Sequence, residues 1–439
     1  PVSRALARRQ FKGRGALITL LGAPFLLPVI VAVLGLVMVF GRNGIFNDVL
    51  GFLGMPEISI YGFHGVVLAH VFFNMPLVTR LILQGWLAVP SERFRLAASL
   101  NAPIGRLIEW PMLRNILPSA FLVVFLICLM SFAVALTLGG GPKATTVELA
   151  IYQALRFDFD LGRAALLALV QFGICAVAAT IAWGITSPEV SGAGFDRAVQ
   201  RWDGGVKRDV LAISLAALFL ILPLGMIVLR GSSALLSLQP DIWQAALRSV
   251  IVALCSSALC TVMALALALR AGRLVAVAGV LPLAASSLVL GTGLFLIVYP
   301  YISPAKLALP MTMLVNAVLA LPFVLRAIAP AVTKIESDFG RLGASLAMSK
   351  GTWLWRIVLP RLRGPIGFGA GIAAALSMGD LGVIALFAGD AQETLPLAMY
   401  RLMGAYKMEA ASGAALLLLI MSFTLFWICD RGGRVNADL

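Results

Sequence analysis

Apolar runs of roughly 18 residues or more recur about ten times along this chain, each long enough to cross a bilayer as a helix. They cover 16–40, 63–86, 116–138, 163–186, 210–229, 244–269, 274–299, 307–332, 364–387 and 411–428. In hydrocarbon every backbone donor and acceptor has to be satisfied inside the protein, and runs without alternating polarity do that as helices. Composition agrees: 61% of residues are hydrophobic and 12% charged, against about 45–50% and about 25% in soluble domains, and the mean hydropathy is +0.98. The expected fold is all-α, a polytopic helical membrane protein.

Between two of these runs lies a polar, basic insert, ESDFGRLGASLAMSKGTWLWRIVLPRLR, from Glu336 to Arg363. Ser337 is suited to cap a short helix, Asp338 suits its positive end, and Gly343, Ala344, Ser345 and Ala347 give it a slim surface. The same device occurs earlier as SERFRLAASLNAPIGRLIEWPMLRNILP, Ser91 to Pro118. Ser91 pairs with Ser337, Arg95 with Arg341, Leu96 with Leu342, Ala98 with Ala344, Ser99 with Ser345 and Leu100 with Leu346, always 246 residues apart. Upstream, Pro76 and Arg80 meet Pro322 and Arg326 at that spacing, so the chain is internally duplicated.

At these residues the chain resembles the permease subunits of ABC importers, whose cytoplasmic loop carries an acidic residue, an AAS-like core, a Gly and a later Leu-Pro. The second copy keeps Gly343, Ala344, Ser345, Leu359 and Pro360; the first departs, with Asn101 and Ala102 where a Gly often stands and prolines displaced to Pro111 and Pro118. The resemblance implies a type I importer fold of two parallel pseudo-repeats. It also implies that each loop docks as a coupling helix on one of two ATPase subunits, through Ser91, Arg95, Ala98, Ser99 and Leu100 in one and Ser337, Arg341, Gly343, Ala344, Ser345 and Leu346 in the other.

Lys and Arg locate the loops, since short cytoplasmic loops retain positive charge. Five basic residues precede the first run, four lie in the first repeated loop (Arg93, Arg95, Arg106, Arg114), four cluster at 197–208, and six more occupy 334–363. Both repeated loops and both termini are therefore expected in the cytoplasm. That asymmetry accounts for the net charge of +14 and leaves no need for a nucleic-acid partner. The five cysteines sit in or beside apolar runs without metal-like spacing, and packing explains them; His64 and His70 stand alone, and packing or hydrogen bonding explains them better than function.

Residues 1–186 form the first repeat, 187–208 a Gly- and charge-rich cytoplasmic linker, and 209–439 the second repeat. The second shows six runs and the first four, so parallel repeats predict twelve, with two absent ahead of residues 16–40 and an open flank there. The start at Pro1 and the echo of ALARR (5–9) in ALALR (266–270) fit a truncated twelve-span protein; a natural ten-span variant is the alternative.

No G-x-x-x-x-G-K-[ST] phosphate loop is present, and no Lys even follows a Gly, so ATP and Mg belong to another polypeptide and no cofactor is expected on this chain. No H-E-x-x-H, Cys cluster or nucleophile elbow appears; catalytic and metal residues are expected to be none. The intramembrane acid that stands out is Asp380, in SMGDLGVIALF. A carboxylate at that depth costs roughly 2.5–3.5 kcal/mol and should face a cavity or a partner. With Gly379 and Gly382 beside it, it either lines a path for a cationic substrate or pins a broken helix. A second echo, TTVELAIYQAL (145–155) against ETLPLAMYRLM (393–403), sets Tyr152 and Tyr400 on short helices expected to lie on the outer surface, where importers meet a periplasmic binding protein.

Over nearly all 439 residues the chain is most similar to the fused, two-halved permeases of thiamine importers. LAHVFFNMPLVTRLILQ, LTLGGGPKATTVELAIYQAL and SMGDLGVIALF carry that likeness. It implies a bacterial inner-membrane subunit, not itself an enzyme, that passes thiamine and its phosphates inward, with Asp380, Gly379, Tyr152 and Tyr400 as candidate pathway residues. Ferric iron or another small solute is the alternative cargo. An ion-driven transporter would want more buried acids, and a passive scaffold would not need two matching loop helices.

Overall fold

The computed structural model describes residues 1–22, 27–139, 145–185, 205–270, 279, 282, 285–387, 389 and 392–434. Among them there are helices and no strands. The first repeat contains α1 (Val2–Arg8), α2 (Arg14–Leu20), α3 (Val29–Phe40), α4 (Ile45–Phe52), α5 (Phe63–Ala88), α6 (Ser91–Ser99), α7 (Trp110–Leu129), α8 (Phe132–Leu138), α9 (Val147–Arg156) and α10 (Leu161–Ile185). The second contains α11 (Val206–Ala234), α12 (Pro240–Ala268), α13 (Ser287–Val298), α14 (Ala308–Ser345), α15 (Lys350–Trp353), α16 (Leu359–Met378), α17 (Gly382–Phe387), α18 (Leu395–Gly404) and α19 (Met408–Arg434).

Nine described segments are long and apolar enough to cross a membrane. The tenth run, 274–299, lies partly outside the described residues, and its described part holds α13. The run 16–40 is not one helix: α2 ends at Leu20, and α3 starts after Pro28, whose fixed φ suits a helix start and not a helix interior. The linker expected at 187–208 lies outside the described residues up to 204, and α11 already begins at Val206.

The repeats interlock. Helix α11 packs on α3 and α1 as well as on α19, while α13 packs on α9 and α10. Phe72 on α5 meets Phe219 on α11 edge-on at 5.6 Å. The ALARR echo has a structural counterpart: Leu6 and Ala7 share a core cluster with Leu83 and Trp86, as Leu267 and Ala268 share one with Ala329 and Val332 at the matching positions. Arg4 holds Glu109 at 3.0 Å, and Arg9 holds Asp209 at 2.8 Å, tying α1 to the first repeated loop and to the start of α11. Beside α3, whose residues from Ile30 to Val39 are buried, α11 occupies the flank expected to be open; on α2 Ala16 and Thr19 are exposed, and 23–26 lie outside the described residues.

The exposed apolar face of the first repeat is instead on α7. Of the most apolar stretch of Gly105–Leu129, 11% is buried in protein, against 78% for Lys350–Phe387. Helix α16 is enclosed by α12, α14 and α19; α7 packs on α5 and α10 and leaves Phe121 and Phe125 in an open apolar groove against Val170 and Ile174.

Candidate functional site

The two repeated loops reach the same end by different routes. In the first, Pro90 has no N–H to continue a helix and forces Val89 into an extended conformation, so α5 stops at Ala88 and α6 starts afresh. The matching position in the second is Glu336, and α14 runs unbroken to Ser345. Ser337 is therefore not a helix cap: it lies inside α14, its hydroxyl donating back to the Lys334 carbonyl at 2.8 Å. The helix is packed up to the expected start by Val332 and Ile335 and again beyond it at Gly343.

From there the copies coincide. Asn101 and Ala347 both take left-handed φ, 48° and 47°. The N–H of Ala102 bonds to the Ala97 carbonyl and that of Met348 to the Gly343 carbonyl, while Asn101 and Ala347 donate to Ala98 and Ala344. This is the six-to-one and five-to-two pairing that satisfies a helix's last carbonyls. Ser99 and Ser345 donate to Leu96 and Leu342 at 2.9 and 2.8 Å. Each helix shows solvent two leucines one turn apart, Leu96 (61%) and Leu100 (69%) in one and Leu342 (52%) and Leu346 (63%) in the other. Ala98, Ala344, Arg95 and Arg341 are exposed beside them. Behind, Phe94 stacks on Trp86 at 5.8 Å in the first loop, and Gly343 admits the Trp353 ring in the second.

A π-helical turn follows each loop, Gly105–Glu109 and Leu354–Val358, and leads into α7 and α16, both 20 residues long with proline second. Pro111 and Pro360 are thus equivalents 249 residues apart, three more than upstream; the second loop is longer, and Pro111 is not displaced.

The same register runs on to the ends of α7 and α16, where both helices break. Ser131 stands at the first break and Asp380 at the second, and both belong to the wall of one cavity of about 1310 Å³ between the repeats. The cavity reaches Gln84 on α5, Phe426 on α19 and Gly15 on α2, and so extends toward the end of the bundle that carries the repeated loops. The opposite end is closed by α17, α9 and α18, with Val383 to Phe387 all buried.

Asp380 is partly buried. Its Oδ1 accepts from the Gly382 N–H at 3.3 Å, and its Oδ2 is shielded from water without a partner among the described residues. Gly379 allows Pro28 to come close, a Cβ there lying 3.0 Å from Pro28 Cα, and Gly382 admits the Ser287 hydroxyl. The turn that carries Asp380 is therefore packed between residues from both repeats. Asn316 donates to Ser377 Oγ at 3.0 Å in the same wall. Of the candidate pathway residues, Asp380 and Gly379 line the cavity, and Tyr152 and Tyr400 do not.

The two tyrosines sit in the closed end. Helices α9 and α18 bury one face in the main core, through Leu149, Ile151, Leu395 and Met399, and leave Arg156 and Gly404 exposed at their ends. Tyr152 meets Phe132 at 5.2 Å and Phe157 at 5.8 Å. Burial raises the pKa of both phenols, and Tyr400 lies within electrostatic range of Tyr152.

Sequence reasoning passed over Glu148, the acid in the first turn of α9, since such a residue ordinarily just favours a helix start. It is fully buried: Gln171 donates to its Oε1 at 3.3 Å and to the Leu129 carbonyl at 3.0 Å, and Ser286 from the cavity wall also bonds it. One polar node thus joins α7, α9 and α10 to the start of α13. The signal was its place in an amphipathic helix otherwise wholly apolar on its inner face. Among the described residues no group of three or more His, Cys, Asp and Glu could hold a metal ion.

No family model matches the chain. It is 36% identical over 451 residues to the thiamine transport system permease protein ThiP of Salmonella typhimurium, covering 98% of this chain and 84% of that one. To the protein of the same name from Escherichia coli K12 it is 36% identical over 463 residues, covering 100% and 86%. It also matches the trehalose/maltose transport system permease protein MalF of Thermococcus litoralis, 25% identical over 181 residues, 38% of this chain and 60% of the other.

Proposed function

The chain belongs to the fused permease subunits of binding-protein-dependent ABC importers, the family of the thiamine transport system permease proteins, and from that premise we propose that it carries thiamine and its phosphates across the bacterial inner membrane. The observation that carries the cargo is the lone carboxylate of Asp380 in the wall of the inter-repeat cavity. A thiazolium ion keeps its positive charge at every pH and has to be compensated wherever it leaves water. Phe73, Phe323 and Phe423 in the same wall offer aromatic faces, each worth about 0.5–2 kcal/mol to a cation. Asp380 is the single acid in the described wall, which also carries one base, Arg80, and a lone acid does not suit ferric iron, whose binding calls for several oxygen anions.

The repeats, 1–186 and 209–439 joined by a cytoplasmic linker, work as two halves of one pore, with loops and termini in the cytoplasm. The two leucine-tipped helices each dock on one of two ATPase subunits, which hold ATP and Mg; a periplasmic binding protein delivers substrate to the far end, above α9 and α18. The cavity, reaching toward the loops and closed at the opposite end, then corresponds to the inward-facing state of alternating access. In proteoliposomes holding the permease with its ATPase and binding protein, thiamine should stimulate ATP hydrolysis and enter the lumen. Ferric stimulation with none by thiamine would refute this cargo.

A further inference from the structure

The cavity runs further along one repeat than along the other. On α14 its wall is drawn from residues between Asn316 and Phe323; on α5 it starts at His70, the register mate of Asn316, passes Leu77, the mate of Phe323, and continues to Gln84. From Leu77 to Gln84 is about two further turns toward the repeated loop. That added stretch holds Arg80, the one arginine or lysine of the described wall, with Gln84 one turn beyond it. Arg326, the mate of Arg80, is exposed and takes no part in the wall. Duplication thus supplies two arginines, and the fold sets one of them in the cavity.

The guanidinium of Arg80 lies over Gly22 at the end of α2, where a Cβ would stand 2.5 Å from Nη1. Arg80 is half-buried and Gln84 exposed, so neither side chain is sealed from the cavity. For a purely cationic cargo the charge has the wrong sign. A guanidinium carries a full positive charge and repels a thiazolium ring in the same cavity. Phosphorylation reverses that balance, because a phosphate group brings about 1.5–2 negative charges near pH 7 and oxygens that a guanidinium can meet in pairs.

We propose that Arg80, with the Gln84 amide beside it, is an anion subsite at the loop-facing end of the cavity, which takes the phosphate end of a phosphorylated cargo on its way to the cytoplasm. The inference rests on the reading of the cargo as thiamine and its phosphates, and it divides that cargo: the subsite serves the phosphates and not thiamine itself. Arginine suits the task better than lysine, since its planar fork of donors matches two phosphate oxygens at once. A guanidinium that merely fastened α5 to α2 would act on every cargo alike.

The test is uptake of thiamine, thiamine monophosphate and thiamine diphosphate by the reconstituted complex with wild-type permease, Arg80→Gln, Arg80→Lys, Gln84→Leu and Arg326→Gln. The binding protein's own preferences are common to all of them and cancel. Arg80→Gln should lower uptake of both phosphates about tenfold, as expected for loss of a charge-assisted pair of hydrogen bonds, and should not lower uptake of thiamine. Arg80→Lys, which keeps the charge without the fork, should lose less. Gln84→Leu should lower the phosphates about threefold, and it reads the same subsite if Arg80→Gln fails to insert. Arg326→Gln should change none of the three. An equal fall of all three substrates in Arg80→Gln, the same selective fall in Arg326→Gln, or no change in either Arg80→Gln or Gln84→Leu overturns the assignment and leaves the thiamine reading intact. Wild type that takes up thiamine and rejects both phosphates overturns the assignment as well. Failure of the wild type to take up any of the three overturns both.

Discussion

The two loop helices are the same device attached in two ways. From Leu96 to Ala102 and from Leu342 to Met348, hydrogen bonds, left-handed caps and exposed leucines superimpose residue for residue. Upstream, one helix is cut free at Pro90 and anchored by Phe94 on Trp86, and the other is a rigid extension of α14 wedged on Trp353. What is shared is the exposed surface; what differs is how it is attached to the bundle. The continuous α14 joins its loop end to the wall holding Asn316 within one helix that contains Pro322 and Pro330, whereas α6 is joined to α5 through the extended Val89 and Pro90.

The largest expected effect breaks the shared surface. Trp in place of Ala98 or Ala344 holds the partner off either loop and should cut thiamine-stimulated ATP hydrolysis at least tenfold in both variants, with the protein still inserted. Normal stimulation in both would remove the docking role. Next, Gly343→Ala would set a Cβ 2.6 Å from the Trp353 ring and should cost about 1–3 kcal/mol, read as a lowered thermal midpoint. At the matching position Ala97 already has its Cβ, and Ala97→Gly should cost only about 0.5–1 kcal/mol. Equal losses would mean that the two anchors do not differ. The smallest effect concerns the caps. Ala347 holds a left-handed conformation that costs an L-residue about 1–2 kcal/mol, so Ala347→Gly should stabilise by about 1 kcal/mol. Asn tolerates that region, and Asn101→Gly should change stability by less than about 0.5 kcal/mol. A gain at 101 as large as that at 347 would contradict this.

The spans and the 246-residue register were legible because apolar length and polar repeats are local signals, and Asp380 stood out as a charge within an apolar run. The break at Pro90 was written in the sequence; the continuity through Ser337 was hidden by residues that suit a cap as well as a helix interior. Glu148 was passed over because its importance comes from what surrounds it. A first-turn acid becomes part of a polar node only when Gln171 and Ser286 are brought beside it, and that is tertiary information.

The central claim is that Asp380 acts as a charge on the cargo and not as a structural pin. It is tested most directly by measuring thiamine uptake and thermal midpoint in Asp380→Asn and in the double variant Ser131→Asp/Asp380→Ser, which moves the carboxylate to the equivalent break in the other repeat. Asp380→Asn should lower thiamine uptake about tenfold, equivalent to about 1.4 kcal/mol, with an unchanged midpoint. Thiamine phosphates, whose negative groups offset the cation, should lose less, and the relocated carboxylate should restore much of the thiamine uptake. A lowered midpoint in Asp380→Asn, equal loss of all substrates and no recovery in the double variant would contradict the account.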